Sequence, residues 1–146
     1  MTFAKKTLYA LRAVYELAKR YGRGPTTIGE IAEAQALPPR FLENILMQLK
    51  GAEILESARG KEGGYWLARP PEAISVGDVV RAMEASVDLI KCLGGKIEET
   101  CPMRENCSFL PMWERAQRAL FEVYDGTSYA DLVAQQHTFR PPSGEA

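Results

Sequence analysis

The chain has 146 residues, is 46% hydrophobic and carries a formal net charge of −1, which supplies enough apolar material for one compact domain, or a small domain with an appended arm, and excludes global disorder. Its apolar runs, such as Ile54-Leu55 and Val79-Val80, fall far short of the roughly 20 residues needed to cross a bilayer. Lys5, Lys6, Arg12 and Glu16 interrupt the first segment where a secretory signal needs an unbroken apolar stretch, so a cytoplasmic protein with no membrane partner is expected.

Leu8, Leu11, Val14, Leu17 and Tyr21 recur at three- and four-residue steps and predict an amphipathic helix from Thr2 to Tyr21, ended by Gly22-Arg23-Gly24-Pro25. Thr27 and Glu30 have the spacing of a capping box, in which hydroxyl and carboxylate each accept an otherwise unpaired backbone N–H, and they open a helix over Ile28 to Gln35. After a turn at Ala36-Leu37, Pro38-Pro39 starts a third helix with an apolar face of Phe41, Leu42, Ile45, Leu46 and Leu49, and Gly51 is its expected stop. Ile54 to Ala58 and Tyr65 to Ala68 are β-prone runs bracketing the glycine-rich turn Arg59 to Gly64, and Pro70-Pro71 closes this unit. Ser75 and Asp78 repeat the capping-box pattern ahead of a helix from Val76 to about Ser86. Gly94-Gly95 and Pro102 make the next segment a loop. Phe109, Trp113, Ala116, Leu120 and Val123 form one apolar stripe on a long helix from about Pro111 to Tyr124, followed by a short helix from Ser128 to Gln136 and a frayed tail from Thr138 to Ala146.

Helix, short helix, tight turn, helix and two-stranded hairpin is the order of a winged helix-turn-helix, so the fold class is mainly α with a small β-hairpin wing and a long C-terminal dimerisation helix. Residues 1–70 read as the DNA-binding domain, 71–137 as a cysteine sensor loop with dimerisation helices, and 138–146 as the tail. Charge divides along the same line: residues 1–69 hold 11 basic and 7 acidic side chains, a balance of +4, against 7 and 12, or −5, in the remainder. A basic head on an acidic body suits a DNA reader with a separate sensing arm, as well as ordinary surface scatter. On the third helix Arg40, Glu43 and Asn44 lie off the apolar face and carry the groups that base edges demand: Arg forks onto guanine, Asn onto adenine, and Glu accepts from cytosine. The same residues would suit a solvated polar face. Arg59 at the hairpin tip has the chemistry for a narrow minor groove, and Lys61 that of a phosphate contact.

Three thiols, Cys92, Cys101 and Cys107, cannot complete a disulfide framework in a reducing compartment. Their spacing lacks the paired C-x-x-C steps, fourth cysteine or nearby histidine of a structural zinc site. Iron-sulfur ligation by thiolates in a wrapping loop fits, and so do three incidental buried thiols. With one histidine and no nucleotide-phosphate loop, no enzyme constellation is present.

From Lys5 to about Gln136 the chain resembles the IscR/NsrR family of bacterial winged-helix regulators, which includes sensors of iron-sulfur status, iron and nitric oxide. The resemblance rests on Tyr9-Ala10-Leu11, Ile31-Ala32 with Phe41-Leu42-Glu43, Arg59-Gly60 through Gly63-Gly64-Tyr65, Ile74-Ser75-Val76-Gly77-Asp78-Val79, and the three cysteines that follow. It implies a homodimeric transcription regulator, expected to repress. Glu43 and Asn44 would lie on the operator-reading helix, Arg59 on the wing tip, and the Phe109 to Tyr124 helix would cross its twin. It also implies an iron-sulfur cluster on Cys92, Cys101 and Cys107, with 4Fe-4S favoured over 2Fe-2S. Relatives often supply a fourth ligand as a histidine three residues after the last cysteine, where this chain has Leu110, or as an acidic residue near position 8, where it has Leu8. The fourth ligand is therefore unassigned, with Glu98, Glu99, Glu105, His137 and the partner subunit's first helix as donors. The alternative functions are a cluster-free regulator responsive to thiol redox state or a small molecule, and a winged-helix module that binds only protein.

Overall fold

Helix α1 (Lys5–Lys19) buries Thr7, Ala10, Ala13, Val14, Leu17 and Ala18, and most of the other elements assemble against it. In this computed structural model residues 2–94 and 101–135 are described. The helix is shorter at both ends than the expected Thr2 to Tyr21. Its own N-cap, Ala4, offers no side-chain bond, and the start is instead fixed by a carboxylate from far along the chain, Glu84, which accepts the Ala4 N–H at 3.0 Å and the buried Thr7 hydroxyl at 2.5 Å.

Helix α2 (Ile28–Gln35) opens on the expected capping box, with the Glu30 N–H donating to the Thr27 hydroxyl at 3.2 Å and the Thr27 N–H to the Glu30 carboxylate at 2.9 Å. It stops at Ala36, which reverses the chain in the left-handed region (φ 51°). Helix α3 (Pro39–Gly51) follows. It ends at the expected stop, Gly51. The reversal comes at Glu53 (φ 61°), where the Ile54 N–H closes onto the Leu49 carbonyl at 3.1 Å and Ile54 and Leu55 enter the core. Strands β1 (Leu55–Ala58) and β2 (Gly64–Leu67) pair antiparallel from Leu55 opposite Leu67 to Ala58 opposite Gly64.

After a 3-10 turn at Pro71–Ala73, α4 (Val76–Met83) begins with the second capping box, Ser75 with Asp78. It ends three residues short of the expected Ser86, because Glu84 leaves the helix as an extended residue and turns its carboxylate to α1. Helices α5 (Leu110–Asp125) and α6 (Tyr129–Gln135) complete the described chain. The tail expected over 138–146 lies outside the described residues.

The core does not stop at the boundary expected at residue 70: Ile74, Val79, Met83 and Tyr129 are buried in one cluster with α1, α2 and α3. The Tyr129 ring is fully enclosed, its hydroxyl donates to the Leu11 carbonyl at 3.1 Å, and burial pushes its pKa far above the ordinary tyrosine value, so it stays a neutral donor. Helix α5 sits to one side, attached by Phe121 and by a two-pronged pair from Arg81 to Asp125 at 2.6 and 2.8 Å, with the Arg81 guanidinium 4.6 Å above the Phe121 ring. This pairing raises the Arg81 pKa and lowers that of Asp125. Gly77 lies beneath it, where a Cβ would collide with the Asp125 carboxylate. Of the stripe read from the sequence, Phe109 (65%) and Val123 (63%) are exposed, whereas Trp113, Ala116 and Leu120 are half-buried.

Glu16 is a buried carboxylate that accepts from Lys19 at 2.8 Å, Gln35 at 3.0 Å and Arg20 at 3.1 Å. Burial alone would raise its pKa, but the hydrogen bonds from Lys19, Gln35 and Arg20 outweigh it and hold the group below its ordinary value. A carboxylate depressed in the folded state contributes stability above the ordinary value of 4.5 and loses it as pH falls through the folded-state value. Glu16→Gln should therefore unfold more easily at pH 7, by about 1–2 kcal/mol, and lose less stability than the parent below pH ~4.5. Urea unfolding followed by circular dichroism at stepped pH checks both; parallel pH curves for the two proteins would contradict them.

Candidate nucleic-acid interface and cysteine loop

Of the five apolar residues expected on the inner face of α3, Leu42, Ile45, Leu46 and Leu49 are buried, and this fixes which side of the helix meets solvent. Arg40, Glu43 and Asn44 are all exposed, as the pattern predicts. Phe41 departs from the expectation. It is 47% exposed and lies under the Arg40 guanidinium, 4.7 Å from its ring centre, because its position on the helix falls outside the arc that α1 covers. Its ring lines an open groove of about 360 Å³ between the start of α1 and α3, together with Lys5, Lys6, Tyr9, Asn44 and Gln48. Lys5 and Lys6 thus stand beside Asn44, a placement that packing of α1 on α3 creates and that no local pattern announces.

The hairpin is tied to this helix. The Lys50 ammonium donates to the Ser57 hydroxyl on β1 at 2.8 Å, and Glu56 accepts the Trp66 indole N–H at 3.1 Å across the strand pair. At its base Thr26 and Tyr65 form a two-bond backbone bridge at 2.9 and 2.8 Å, adding a third short β segment that the sequence reading missed. Gly64 is required there, since a Cβ would lie 2.5 Å from the Thr26 carbonyl oxygen. Arg59 and Lys61 are exposed on the connecting turn, with Gly60 between them at φ 105°.

The far end of α4 touches the same helix. The Gln48 amide donates to the Ala82 carbonyl at 3.0 Å, two residues before Glu84 takes the start of α1. Beyond it, the Gln117 side chain of α5 holds the next stretch by accepting the Leu89 N–H at 2.7 Å and donating to Asp88 at 3.3 Å. Cys92 sits in a 3-10 turn at Lys91–Leu93, Cys101 precedes a second at Arg104–Asn106, and Cys107 ends that turn. All three are half-buried free thiols. Their chemistry suits an iron-sulfur cluster, which takes thiolate ligands. Among the described residues no three histidine, cysteine or carboxylate side chains gather as a metal set. Of the suggested fourth donors, Glu105 is exposed, whereas Glu98, Glu99 and His137 lie outside the described residues.

Residues 3–135 match the family model described as Rrf2, iron-dependent transcriptional regulator. The HTH-type transcriptional regulator CymR of Bacillus subtilis is 34% identical over 134 residues, covering 92% of this chain and 91% of the relative. The solved structure of CymR (YrzC), described as the global cysteine regulator of B. subtilis, superposes with a TM-score of 0.76 at 32% identity over 93% of this chain and 98% of that one. The IscR structure from T. potens superposes with a TM-score of 0.71 at 28% identity over 100% and 94% of the two chains.

Two glycines on this surface should respond oppositely to substitution. Gly64→Val drives a side chain into Thr26 and opens the bridge beneath the hairpin, so it should lower stability by about 2 kcal/mol, the worth of two backbone hydrogen bonds. Gly51→Ala meets nothing within 4 Å and should raise it, by up to ~1 kcal/mol, through helix propensity. Thermal unfolding of the two variants checks the pair; a Gly64→Val protein as stable as the parent would show that the bridge does not hold the hairpin.

Proposed function

The chain belongs to the Rrf2 family of transcriptional regulators, winged-helix DNA-binding proteins rather than enzymes, and from that premise we propose that it reads an operator as a homodimer, with α3 in the major groove and the β1-β2 wing on the flanking backbone and minor groove. The observation that carries this reading is the division of α3 into a buried side of Leu42, Ile45, Leu46 and Leu49 and an exposed side holding Arg40, Glu43 and Asn44. Arg40 and Asn44 supply bidentate contacts to guanine and adenine, and Glu43 penalises sites that lack a donor opposite it. Arg59 enters the minor groove and Lys61 takes phosphate. The second copy docks on the stripe of α5, where Phe109 and Val123 stand in solvent in the single chain; a two-fold dimer then reads an imperfect palindrome. Among the described residues no helix is long and apolar enough to cross a membrane.

The residue roles separate in binding assays. Arg59→Ala should weaken operator binding and alter preference at A·T-rich flanks, whereas Lys61→Ala should lower affinity for all duplexes alike and reduce the salt dependence by about one counterion. Fluorescence anisotropy on matched operator and scrambled duplexes over a salt series distinguishes them. Equal, sequence-blind losses in both variants would remove Arg59 from the readers.

For the signal, Cys92, Cys101 and Cys107 would hold an iron-sulfur cluster, of 4Fe-4S type, and the segment they occupy would carry the response to iron, nitric oxide or redox state. Support comes from three free thiols in one segment and from the family's description as iron-dependent. Bound there, the cluster would supply redox- and nitric-oxide-sensitive chemistry. A second reading, a regulator that responds through its thiols or a small molecule without a cluster, is favoured by the ungathered donor set among the described residues and by the similarity to a global cysteine regulator. Anaerobic purification followed by native mass spectrometry and visible absorption decides between them. Alanine at any one of the three cysteines should abolish bound iron and sulfide, leave the circular dichroism unchanged, and shift operator affinity in one common direction by about 5- to 150-fold. Iron-free parent protein that still responds to thiol oxidation on DNA would establish the second reading.

A further inference from the structure

The assignment of α3 as the operator-reading helix, on which this inference rests, leaves one side chain on its outer face without a role. With Leu42, Ile45, Leu46 and Leu49 turned to the core, the 3.6-residue period places Arg40, Asn44, Met47 and Gly51 along the opposite line, at successive steps of four, three and four residues. Arg40 and Asn44 are hydrogen-bonding groups suited to base edges. Met47 is not. It is 58% exposed, more than Leu8, Tyr21 or Phe41, the other exposed large apolar residues of the N-terminal half. Phe41 at least lies under a guanidinium. Gly51, one turn further, has open space where a Cβ would be, so no described residue closes over this end of the line.

Single exposed apolar side chains are ordinary on protein surfaces, but this one stands in the middle of a stripe whose neighbours are polar and reach outward. The major groove presents one apolar group, the C5-methyl of thymine. We propose that Met47 is a specificity-determining residue that packs on a thymine methyl in each half-site. Three residues along a helix advance about 4.5 Å, somewhat more than the ~3.4 Å step between stacked base pairs, so a helix lying along the groove brings Met47 to a base pair neighbouring the one that Asn44 reads. Its sulfur is only a weak acceptor, and the side chain is unbranched and polarizable, so its selectivity comes from burying the methyl rather than from a directional bond.

Replacing thymine by deoxyuridine removes that methyl and keeps every hydrogen-bonding group. An operator is first recovered by selecting random duplex DNA with the full chain, and each thymine of the half-site is then replaced in turn. Deoxyuridine at one thymine should weaken the parent by about fourfold, the worth of one buried methyl. Met47→Ala should bind the thymine operator correspondingly less well and lose the thymine preference at that position, while Met47→Leu should keep most of both. Thermal unfolding of both variants should match the parent, as Met47 is exposed. A parent indifferent to every replacement, or a Met47→Ala protein that retains the preference, would overturn the proposal. Failure of the parent to enrich any sequence would overturn the operator-reading assignment itself, a result visible before any deoxyuridine is used.

Discussion

Most of the described elements pack on α1, a helix whose own N-cap residue offers no side-chain bond. Its inner side is built from small residues, Ala10, Ala13 and Ala18, beside Val14 and Leu17, which lets α2, α3, α4, α6 and β2 come close to one helix. Its N-terminus is capped in trans by Glu84, its middle is held by the Tyr129 hydroxyl on the Leu11 carbonyl, and its C-terminal turn carries Glu16, which gathers Lys19, Arg20 and Gln35. Each tie joins α1 to itself or to a different part of the chain. The orientation of α3, and hence which of its residues face outward, follows from where α1 is held.

Those ties also explain how a loop so far along the chain can bear on the helix proposed to read DNA. The end of α4 is the meeting point: Ala82 accepts from Gln48 on α3, and Glu84 grips the start of α1 beside Lys5 and Lys6. From there the chain runs directly into the stretch that Gln117 fastens to α5 and on to Cys92. Residues 82–94 form a contiguous set of contacts from α3 and α1 to Cys92, and transmission along it would require this stretch to take two arrangements.

Features set by neighbours in sequence were legible before the structure, and those set by distant packing were not. Both capping boxes, Thr27 with Glu30 and Ser75 with Asp78, depend on residues three apart and form as read. So does the four-residue core face of α3. Phe41 was misread because periodicity marks it as apolar but cannot say how wide an arc α1 covers. Gly51 ends α3 as read, but the reversal at Glu53 was hidden because the burial of Ile54, not glycine's freedom, decides where the chain turns. The end of α4 at Met83, the Thr26-Tyr65 bridge and the Lys5-Lys6 groove all arise from partners tens of residues away. On α5 the stripe was legible as a pattern but not which of its residues stay exposed, and Phe121, which attaches the helix to its own chain, was hidden because its partner Arg81 lies forty positions earlier.

The bond between Tyr129 and Leu11 spans 118 residues, and this dictates the order in which the protein can be finished on the ribosome. Once α3 ends at Gly51 the helix proposed to read DNA has been made, yet the site against α1 that receives the Tyr129 ring stays open until residue 129 emerges. At bacterial elongation speeds that interval is about 4–16 s, long compared with the microseconds in which the helices themselves form. During it the nascent head carries an unfilled apolar cleft, so the regulator becomes fully folded only after Cys92, Cys101 and Cys107 have all been synthesised.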